Sequence, residues 1–238
     1  MSNTMKLLLI SNSTNAGEAY LDHPKNQIRE FLGSTQKKCL FIPYAAVTFS
    51  FSDYEKKVNE RFIEIGHEVR SIHQYLDPIQ AVEEAESIVI GGGNTWQLTR
   101  LMHDKGLMAP IIKKVRNGTP YIGWSAGSNV ACPTIKTTND MPIKDPGSFQ
   151  VLNLVPFQIN PHYLDANPEG HAGETREMRI EEFIQVNQDV YVVGLREGTM
   201  LWLESGILSL IGPRKARIFK YGQEPFEVES GSDLQFLM

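Results

Sequence analysis

Cysteine is scarce in this 238-residue chain, since Cys39 and Cys132 are its two cysteines and they lack a CxxC spacing. This excludes a disulfide framework and the usual zinc and redox motifs. No apolar run approaches the roughly 18 residues of a membrane-spanning helix. The first residues also lack the basic leader, long apolar stretch and cleavage site of a signal peptide. We therefore expect a cytoplasmic protein that needs no metal and no other cofactor.

Blocks of charge of either sign are also missing, although the net formal charge is −5. Proteins that bind nucleic acid or anionic membranes usually carry a basic patch, so we expect neither partner. A small acidic substrate stays open, because one arginine in a cleft can bind it. The chain has no internal repeat, and its length fits a single domain over residues 1–238. The oligomeric state is left open.

Short apolar runs alternate with helical patterns over the first two-thirds of the chain. The runs are nearly continuous, as in parallel strands that are buried on both faces. Strands are predicted at residues 6–11, 38–45, 67–73, 87–93 and 120–125, and helices at 53–65, 78–86, 95–105 and 109–117. Ser52 and Glu55 form a capping-box pattern at the first of these helices. The alternation predicts a doubly wound, mainly parallel α/β sheet.

The last third of the chain has a different pattern. The run at 190–195 predicts one more inner strand, and short runs separated by tight turns follow it. These runs predict antiparallel hairpins at the C-terminal edge of the sheet, formed by MLWLE, ILSLIG, ARIFKY and FEVES. Residues 133–160 are predicted to form a long loop, and such loops in compact domains are usually functional or disordered.

The clearest chemical pattern is G-x-S-x-G at residues 123–127, which follows a predicted strand and precedes a short helical pattern. In a nucleophile elbow the serine lies on a sharp strand-to-helix turn, and small neighbours let the backbone pass. The helix N-terminus then stabilises developing negative charge. Without its context, the five-residue pattern also fits an ordinary glycine-rich turn. The strand-turn-helix context favours Ser125 as a nucleophile.

A serine nucleophile needs a base, and the chain has six histidines. His162 follows the short run FQIN, a predicted strand that Pro161 ends. Functional groups of open parallel sheets gather beyond the carboxyl ends of strands, so we expect His162 on the same rim as Ser125. His171 lies nearby and is the second choice. The other four histidines have contexts typical of packed or solvated side chains.

A second glycine-rich turn, GGGNT at residues 91–95, closes a predicted strand and opens a helix. A phosphate cradle is one interpretation, but the turn is neither G-x-G-x-x-G nor a P-loop. An oxyanion hole fits better, with donors in the backbone N–H groups of Gly93 and of Ala126, the residue after the nucleophile. Asn94 is then expected to be a neighbouring substrate contact.

Two carboxylates are candidates for the third member of a triad. Asp140 lies in the long loop, and Glu197 follows the run at 190–195. The strand-end position favours Glu197, and Asp140 is then expected to shape the pocket. For Asp140, a loop-stabilising turn is the plainer interpretation. For Arg176, which opens a predicted helix, the plainer interpretation is a surface ion pair.

Four segments together resemble the peptidase E family of α-aspartyl dipeptidases: GGGNTWQL, YIGWSAGSNVACPTIKTTNDMPI, QINPHY and PEGHAGETRE. The resemblance runs in order over roughly residues 6–220, and its long central block is far more specific than any short motif. Cyanophycinases are more distant relatives, and the fold resembles class I glutamine amidotransferase domains. The family resemblance implies metal-free hydrolysis of dipeptides that carry an N-terminal aspartate.

The resemblance also implies roles for individual residues. It makes Ser125 the nucleophile and His162 the base, with Gly93 as an oxyanion donor and Arg176 holding the side chain of the substrate aspartate. The third triad member falls on either of the two carboxylates already considered. Arg196 departs from the family pattern, in which proline is expected before the glutamate.

Two other functions stay open. One is a related serine hydrolase of different specificity, either cyanophycinase-like or an esterase. The other is a non-catalytic, amidotransferase-like binding module. The intact serine elbow, the glycine-rich turn and the histidine at a strand end argue against the binding module.

Overall fold

A computed structural model describes residues 5–167, 169, 170 and 172–238. Within these residues the chain forms two β-sheets, flanked by helices. In chain order the strands are β1 (Leu7–Ile10), β2 (Lys38–Ile42), β3 (Glu68–Ser71), β4 (Ser87–Ile90), β5 (Tyr121–Trp124), β6 (Gln158–Tyr163), β7 (Val192–Arg196), β8 (Met200–Glu204), β9 (Ile207–Ile211), β10 (Ala216–Phe219) and β11 (Phe226–Val228). The helices are α1 (Lys25–Leu32), α2 (Phe51–Glu64), α3 (Pro78–Glu84), α4 (Thr95–Asp104), α5 (Met108–Arg116), α6 (Ala126–Asn129) and α7 (Arg176–Val186).

The larger sheet has the spatial order β3-β2-β4-β5-β1-β8-β9. Its first five strands pair in parallel, while β8 and β9 form an antiparallel hairpin beside β1. This confirms the predicted α/β fold with a mainly parallel sheet and a C-terminal hairpin at its edge. The carboxyl ends of β4 and β5 meet at one end of the sheet, which brings the two glycine-rich turns together.

Hydrophobic side chains bury both faces of the larger sheet, as the continuous apolar runs predict. Helices α1 and α2 pack on one face, against alternate residues of the central strands. Helices α3 to α6 pack on the opposite face. The same hydrophobic cluster continues into the smaller sheet. The smaller sheet therefore packs onto the larger one through a shared core.

The smaller sheet has the order β11-β10-β7-β6, with β6 and β7 in parallel. Its outer face is covered by α7. Strand β7 corresponds to the run predicted as an inner strand of the main sheet, and the last two short runs join it rather than the main edge. That part of the prediction is wrong because an apolar run identifies a buried strand but not the strand it pairs with.

The start of α2 differs from the predicted capping box. Ser50, not Ser52, is the N-cap, and its Oγ accepts a hydrogen bond from the N–H of Asp53 at 3.0 Å. Glu55 instead accepts from the backbone N–H of Ser71, at the end of β3. Two overlapping cap patterns lie two residues apart here, and the tertiary contact of Glu55 selects the earlier one. In the described part of the chain, no helix has the length and hydropathy to cross a membrane.

Candidate active site

Ser125 lies on a tight turn between β5 and α6, at the end of the larger sheet. Its backbone has φ 53° and ψ −112°, a conformation that non-glycine residues rarely adopt. Its neighbours must be glycine: a Cβ on Gly123 would lie 2.4 Å from the carbonyl oxygen of Gly127, and one on Gly127 would lie 2.2 Å from that of Ile90. The predicted elbow geometry is thus present at Ser125.

His162 lies within β6 rather than beyond its end, which corrects the expectation that Pro161 ends the strand. The β6–β7 pairing shifts register between Pro161 and Tyr163, and His162 occupies this bulge with φ 53°. Bulges often re-aim a side chain next to active sites. The base candidate therefore comes from the smaller sheet, whereas Ser125 comes from the larger one.

The two sheets bring three side chains into line. Nε2 of His162 lies 3.1 Å from Oγ of Ser125, and Nδ1 lies 2.7 Å from Oε1 of Glu197. Both distances are within hydrogen-bond range for a nucleophile, a base and an orienting carboxylate. Glu197 follows the end of β7, the strand next to β6. The second-choice base, His171, lies outside the described residues.

Asp140 is hydrogen-bonded to the start of α4 and, within the described residues, forms no hydrogen bond with His162. Its Oδ2 accepts hydrogen bonds from the N–H and Oγ1 of Thr95 at 2.7 and 2.6 Å, and from Oγ1 of Thr138 at 3.1 Å. Its backbone oxygen accepts from Nε1 of Trp96. Of the two carboxylates that the sequence left open, Glu197 is therefore the one in contact with His162. Asp140 ties the long loop to α4.

The GGGNT turn packs directly against the serine elbow. Gly93 has φ 132°, and a Cβ there would lie 2.4 Å from the carbonyl oxygen of Ala45. Within the described residues, the N–H groups of Gly93 and Ala126 donate to no protein acceptor, as an oxyanion hole requires. Asn94, predicted as a substrate contact, has protein partners for its side chain. Its Oδ1 caps α4 and its Nδ2 donates to the carbonyl oxygen of Met141.

Three aromatic side chains that the sequence analysis did not identify support this turn. The hydroxyl of Tyr54 donates to the carbonyl oxygen of Gly92 at 3.0 Å and accepts from Nε1 of Trp124 at 3.1 Å and from the hydroxyl of Tyr20 at 3.2 Å. Burial raises the pKa of Tyr54 to about 12, so it stays a neutral hydrogen-bonding group. The spacing of these residues along the chain gives no local signal of their contact.

Two buried polar residues at the end of β1 hold the smaller sheet. The Oγ of Ser11 donates to the carbonyl oxygen of Leu195 at 2.7 Å and accepts from the N–H of His162 at 2.9 Å. The Oδ1 of Asn12 accepts from the N–H of Gly198 at 2.8 Å. These contacts join partners more than 150 residues apart. The pair therefore fixes the backbone beside both His162 and Glu197.

A cleft of about 560 Å³ opens over Ser125 and His162. Arg176 lies in an adjoining depression of about 200 Å³, where its Nη1 donates to Oδ1 of Asn139 at 2.5 Å. Burial lowers the pKa of Arg176, Arg179 lowers it further, and Asp140 opposes the shift. Asp140 lines both the cleft and the depression. The two spaces therefore share one wall.

The described residues contain no group of three or more His, Cys, Asp or Glu side chains that could hold a metal ion. Cys39 and Cys132 are free and buried, and burial raises the pKa of each to about 12. Arg196, the departure from the family pattern, pairs with Asp165 and Glu227. It leaves Glu197 in contact with the imidazole.

Comparisons with known proteins identify the family of the chain. The family model of peptidase family S51 matches residues 7–211. A peptidase E from Nostoc sp. is 54% identical over 98% of this chain and 96% of its own, and one from Shigella flexneri is 48% identical over 95% and 99%. The structure of a peptidase from an acI-B1 actinobacterium has the same fold, with a TM-score of 0.69 at 17% identity and 98% coverage of both chains. On the extent of the family match and the identity to these relatives, the chain belongs to peptidase family S51.

Proposed function

We propose that the protein is a serine dipeptidase that cleaves dipeptides with an N-terminal aspartate. The observation that carries the proposal is the position of His162 between Ser125 and Glu197, at 3.1 and 2.7 Å. The free N–H groups beside Ser125 add the second requirement of acyl transfer, a site for the developing oxyanion. The relatives named peptidase E support a peptidase, and the sequence resemblance to α-aspartyl dipeptidases implies the substrate class. Two free, buried thiols fit a reducing, cytoplasmic location.

The proposed reaction begins when Oγ of Ser125 attacks the carbonyl carbon of the aspartyl residue. Nε2 of His162 takes the hydroxyl proton, and the N–H groups of Gly93 and Ala126 hold the oxyanion. His162 then gives the proton to the leaving amine as the C–N bond breaks. Water, activated by the same imidazole, hydrolyses the aspartyl ester and restores Ser125. Glu197 stabilises the imidazolium in both halves of the reaction.

Specificity is assigned to Arg176. Its guanidinium is half-buried and, within the described part of the chain, forms no ion pair with a carboxylate. A desolvated guanidinium binds a carboxylate with both charge and a planar fork. The carboxylate of the substrate aspartate is the natural occupant of the depression that Arg176 lines.

The nucleophile and base are tested first. Ser125→Ala should fold normally and lose on the order of 10⁴–10⁶ in kcat, with His162→Ala nearly as damaging because the two act as a unit. A fluorophosphonate probe should label the wild type and neither variant. Retention of a tenth of the activity by Ser125→Ala would refute the serine mechanism. Absence of labelling in the wild type would favour a non-catalytic binding module.

Substrate range is tested with a panel of Asp-X, Glu-X, Asn-X and β-Asp-X dipeptides. The wild type should prefer Asp-X, and Arg176→Ala should lower kcat/KM for Asp-X by about 10²–10⁴. Turnover of the neutral Asn-X should change little. Preference for β-Asp-X would point to a cyanophycinase-like specificity. Equal loss for Asp-X and Asn-X would make Arg176 a structural residue.

A further inference from the structure

Tyr54 contacts the turn that carries one of the two proposed oxyanion donors. Its hydroxyl donates to the carbonyl oxygen of Gly92 at 3.0 Å. The carbonyl of Gly92 and the N–H of Gly93 belong to one planar peptide unit and point in opposite directions. A contact that fixes the direction of the carbonyl therefore fixes the direction of the N–H. Among the described residues, Tyr54 is the one hydrogen-bond donor to this carbonyl.

The turn needs such a contact because it consists of consecutive glycines. A Cβ on Gly91 would lie 2.6 Å from the hydroxyl oxygen of Tyr54, and one on Gly92 would lie 3.0 Å from Cδ1 of Trp124. Close packing thus requires glycines, yet glycine rotates about its backbone bonds more freely than other residues. A peptide between Gly92 and Gly93 can therefore reverse. Reversed, it would turn a carbonyl oxygen towards the developing oxyanion and repel it.

We infer that Tyr54 is a positioning residue for the oxyanion hole, which holds the Gly92–Gly93 peptide with its N–H towards the cleft over Ser125. The inference deepens the function proposed above and rests on it, since it requires that an oxyanion forms at Ser125. Tyr54 acts through the peptide and not on the substrate itself. Its hydrogen bond also polarises the peptide, so the N–H of Gly93 becomes a stronger donor.

The surroundings of Tyr54 fix the direction of its proton. The hydroxyl oxygen accepts from Nε1 of Trp124 at 3.1 Å and from the hydroxyl of Tyr20 at 3.2 Å. A phenol has one proton to donate, and with two donors on its oxygen that proton goes to Gly92. The side chain of Tyr54 is buried, which limits competition from water. Trp124 directly precedes the proposed nucleophile, so the phenol links the two turns that form the hole.

The test is Tyr54→Phe, which removes one oxygen atom and keeps the ring that packs against Phe41 and Phe49. For Asp-Leu, kcat should fall about 10–100-fold, less than the roughly 10²–10³-fold for outright loss of one oxyanion donor. KM should stay within about threefold, because the hole acts on the transition state rather than on the bound substrate. Fluorophosphonate labelling should slow by the same factor as kcat, since the phosphonyl oxygen occupies the same hole.

Gly91→Ala is a second variant that displaces the hydroxyl instead of removing it. The φ of Gly91 lies outside the left-handed region, so alanine fits its backbone, and the nearest atom to the new Cβ is the hydroxyl oxygen of Tyr54. We expect the same division, with slower turnover and labelling and a nearly constant KM.

Tyr121→Phe is the matched control. The Tyr121 hydroxyl is also buried and also donates to a glycine carbonyl, that of Gly127, at 2.6 Å. The N–H of that peptide belongs to Ser128 and already donates to the carbonyl oxygen of Ser125, so it is no oxyanion donor. Tyr121→Phe should lower the melting temperature about as much as Tyr54→Phe and keep the wild-type kcat and labelling rate.

Wild-type kcat and labelling in a folded Tyr54→Phe would overturn the assignment, and so would an equal loss of both in Tyr121→Phe. If Tyr54→Phe fails to fold, Gly91→Ala decides, because a wild-type labelling rate there would also overturn it. Labelling needs no aspartyl substrate. A wild type that labels but does not cleave Asp-Leu would therefore refute the proposed specificity, and the labelling rates of the variants would still decide the role of Tyr54. A wild type that neither labels nor cleaves would refute both.

Discussion

Ser11→Ala tests how the fold positions His162, the proposed base. Ser11 is fully buried, and its hydroxyl bridges the carbonyl oxygen of Leu195 at 2.7 Å and the N–H of His162 at 2.9 Å. Alanine leaves both backbone groups without that partner, and each unmet group costs about 1–3 kcal/mol. We therefore expect the free energy of unfolding to fall by about 2–4 kcal/mol. A domain whose free energy of unfolding is roughly 5–15 kcal/mol can lose this amount and stay folded.

The effect on activity should exceed the effect on folding. The positive φ of His162 is a strained conformation that persists only while its surroundings hold it, at a cost of about 1–3 kcal/mol. Without Ser11 the bulge can relax and move the imidazole away from Ser125. A displacement of about 1 Å costs up to 10²-fold in rate, so kcat should fall about 10–100-fold with KM nearly unchanged.

The assay combines urea unfolding with steady-state hydrolysis of Asp-Leu and the rate of fluorophosphonate labelling. Ser87→Ala is the matched control: Ser87 is equally buried, begins β4 at the opposite end of the sheet, and donates a 3.3 Å hydrogen bond to the carbonyl oxygen of Pro120. It should lose some stability and keep its kcat. The reasoning is refuted if Ser11→Ala loses stability as expected but retains wild-type kcat and labelling rate.

Three further predictions concern other parts of the molecule. Glu197→Gln should lower kcat by about 10²–10⁴ at constant melting temperature, because the imidazolium loses its carboxylate; an unchanged kcat would remove Glu197 from the triad. Burial raises the pKa of Cys39 and Cys132 to about 12. A thiol reagent at about pH 8 should therefore label them only when urea unfolds the protein, and it should leave the activity of the folded enzyme intact; inactivation of the folded enzyme would contradict this. The hydrogen bond from Arg196 lowers the pKa of Glu227 in the folded protein. The stability that this carboxylate contributes is therefore complete above about pH 4.3, its pKa in the unfolded chain, and is lost as the pH falls through the lower pKa of the folded state. Glu227→Gln should therefore flatten the fall of melting temperature with pH below about 4; an equally steep fall would count against the assignment.

Much of the larger sheet could be predicted from the sequence because each of its strands is recognisable from a short segment of sequence. Continuous apolar runs identify β1, β2, β4 and β5, and the G-x-S-x-G pattern marks the turn at Ser125 within five residues. The elbow is therefore visible in a short segment of sequence, although the carbonyl groups that leave no room for a side chain at Gly127 and Gly93 belong to Ile90 and Ala45, which are distant in the chain.

The smaller sheet and the supports of the base could not be predicted in this way. An apolar run such as β7 has the same composition whichever sheet it joins. His162 was expected beyond a strand because proline usually ends one, yet the bulge keeps Pro161 within β6. Ser11 carries no local signal, since its hydroxyl contacts partners 151 and 184 residues away. Such roles depend on tertiary packing, which a sequence pattern of period two or 3.6 does not encode.

The division of the proposed triad between two sheets has a consequence for when this peptidase becomes active. The chain leaves the larger sheet after β5, forms β6 and β7, and returns to add β8 beside β1. A nascent or partly opened molecule with both sheets formed but undocked would hold Ser125 in its elbow with no imidazole near it. Proteins open locally in cooperative units well below the free energy of global unfolding. Separation of the sheets would therefore abolish hydrolysis while most backbone hydrogen bonds persist. The activity of a sample would then measure how much of the protein has its two sheets packed together, not how much of its secondary structure has formed.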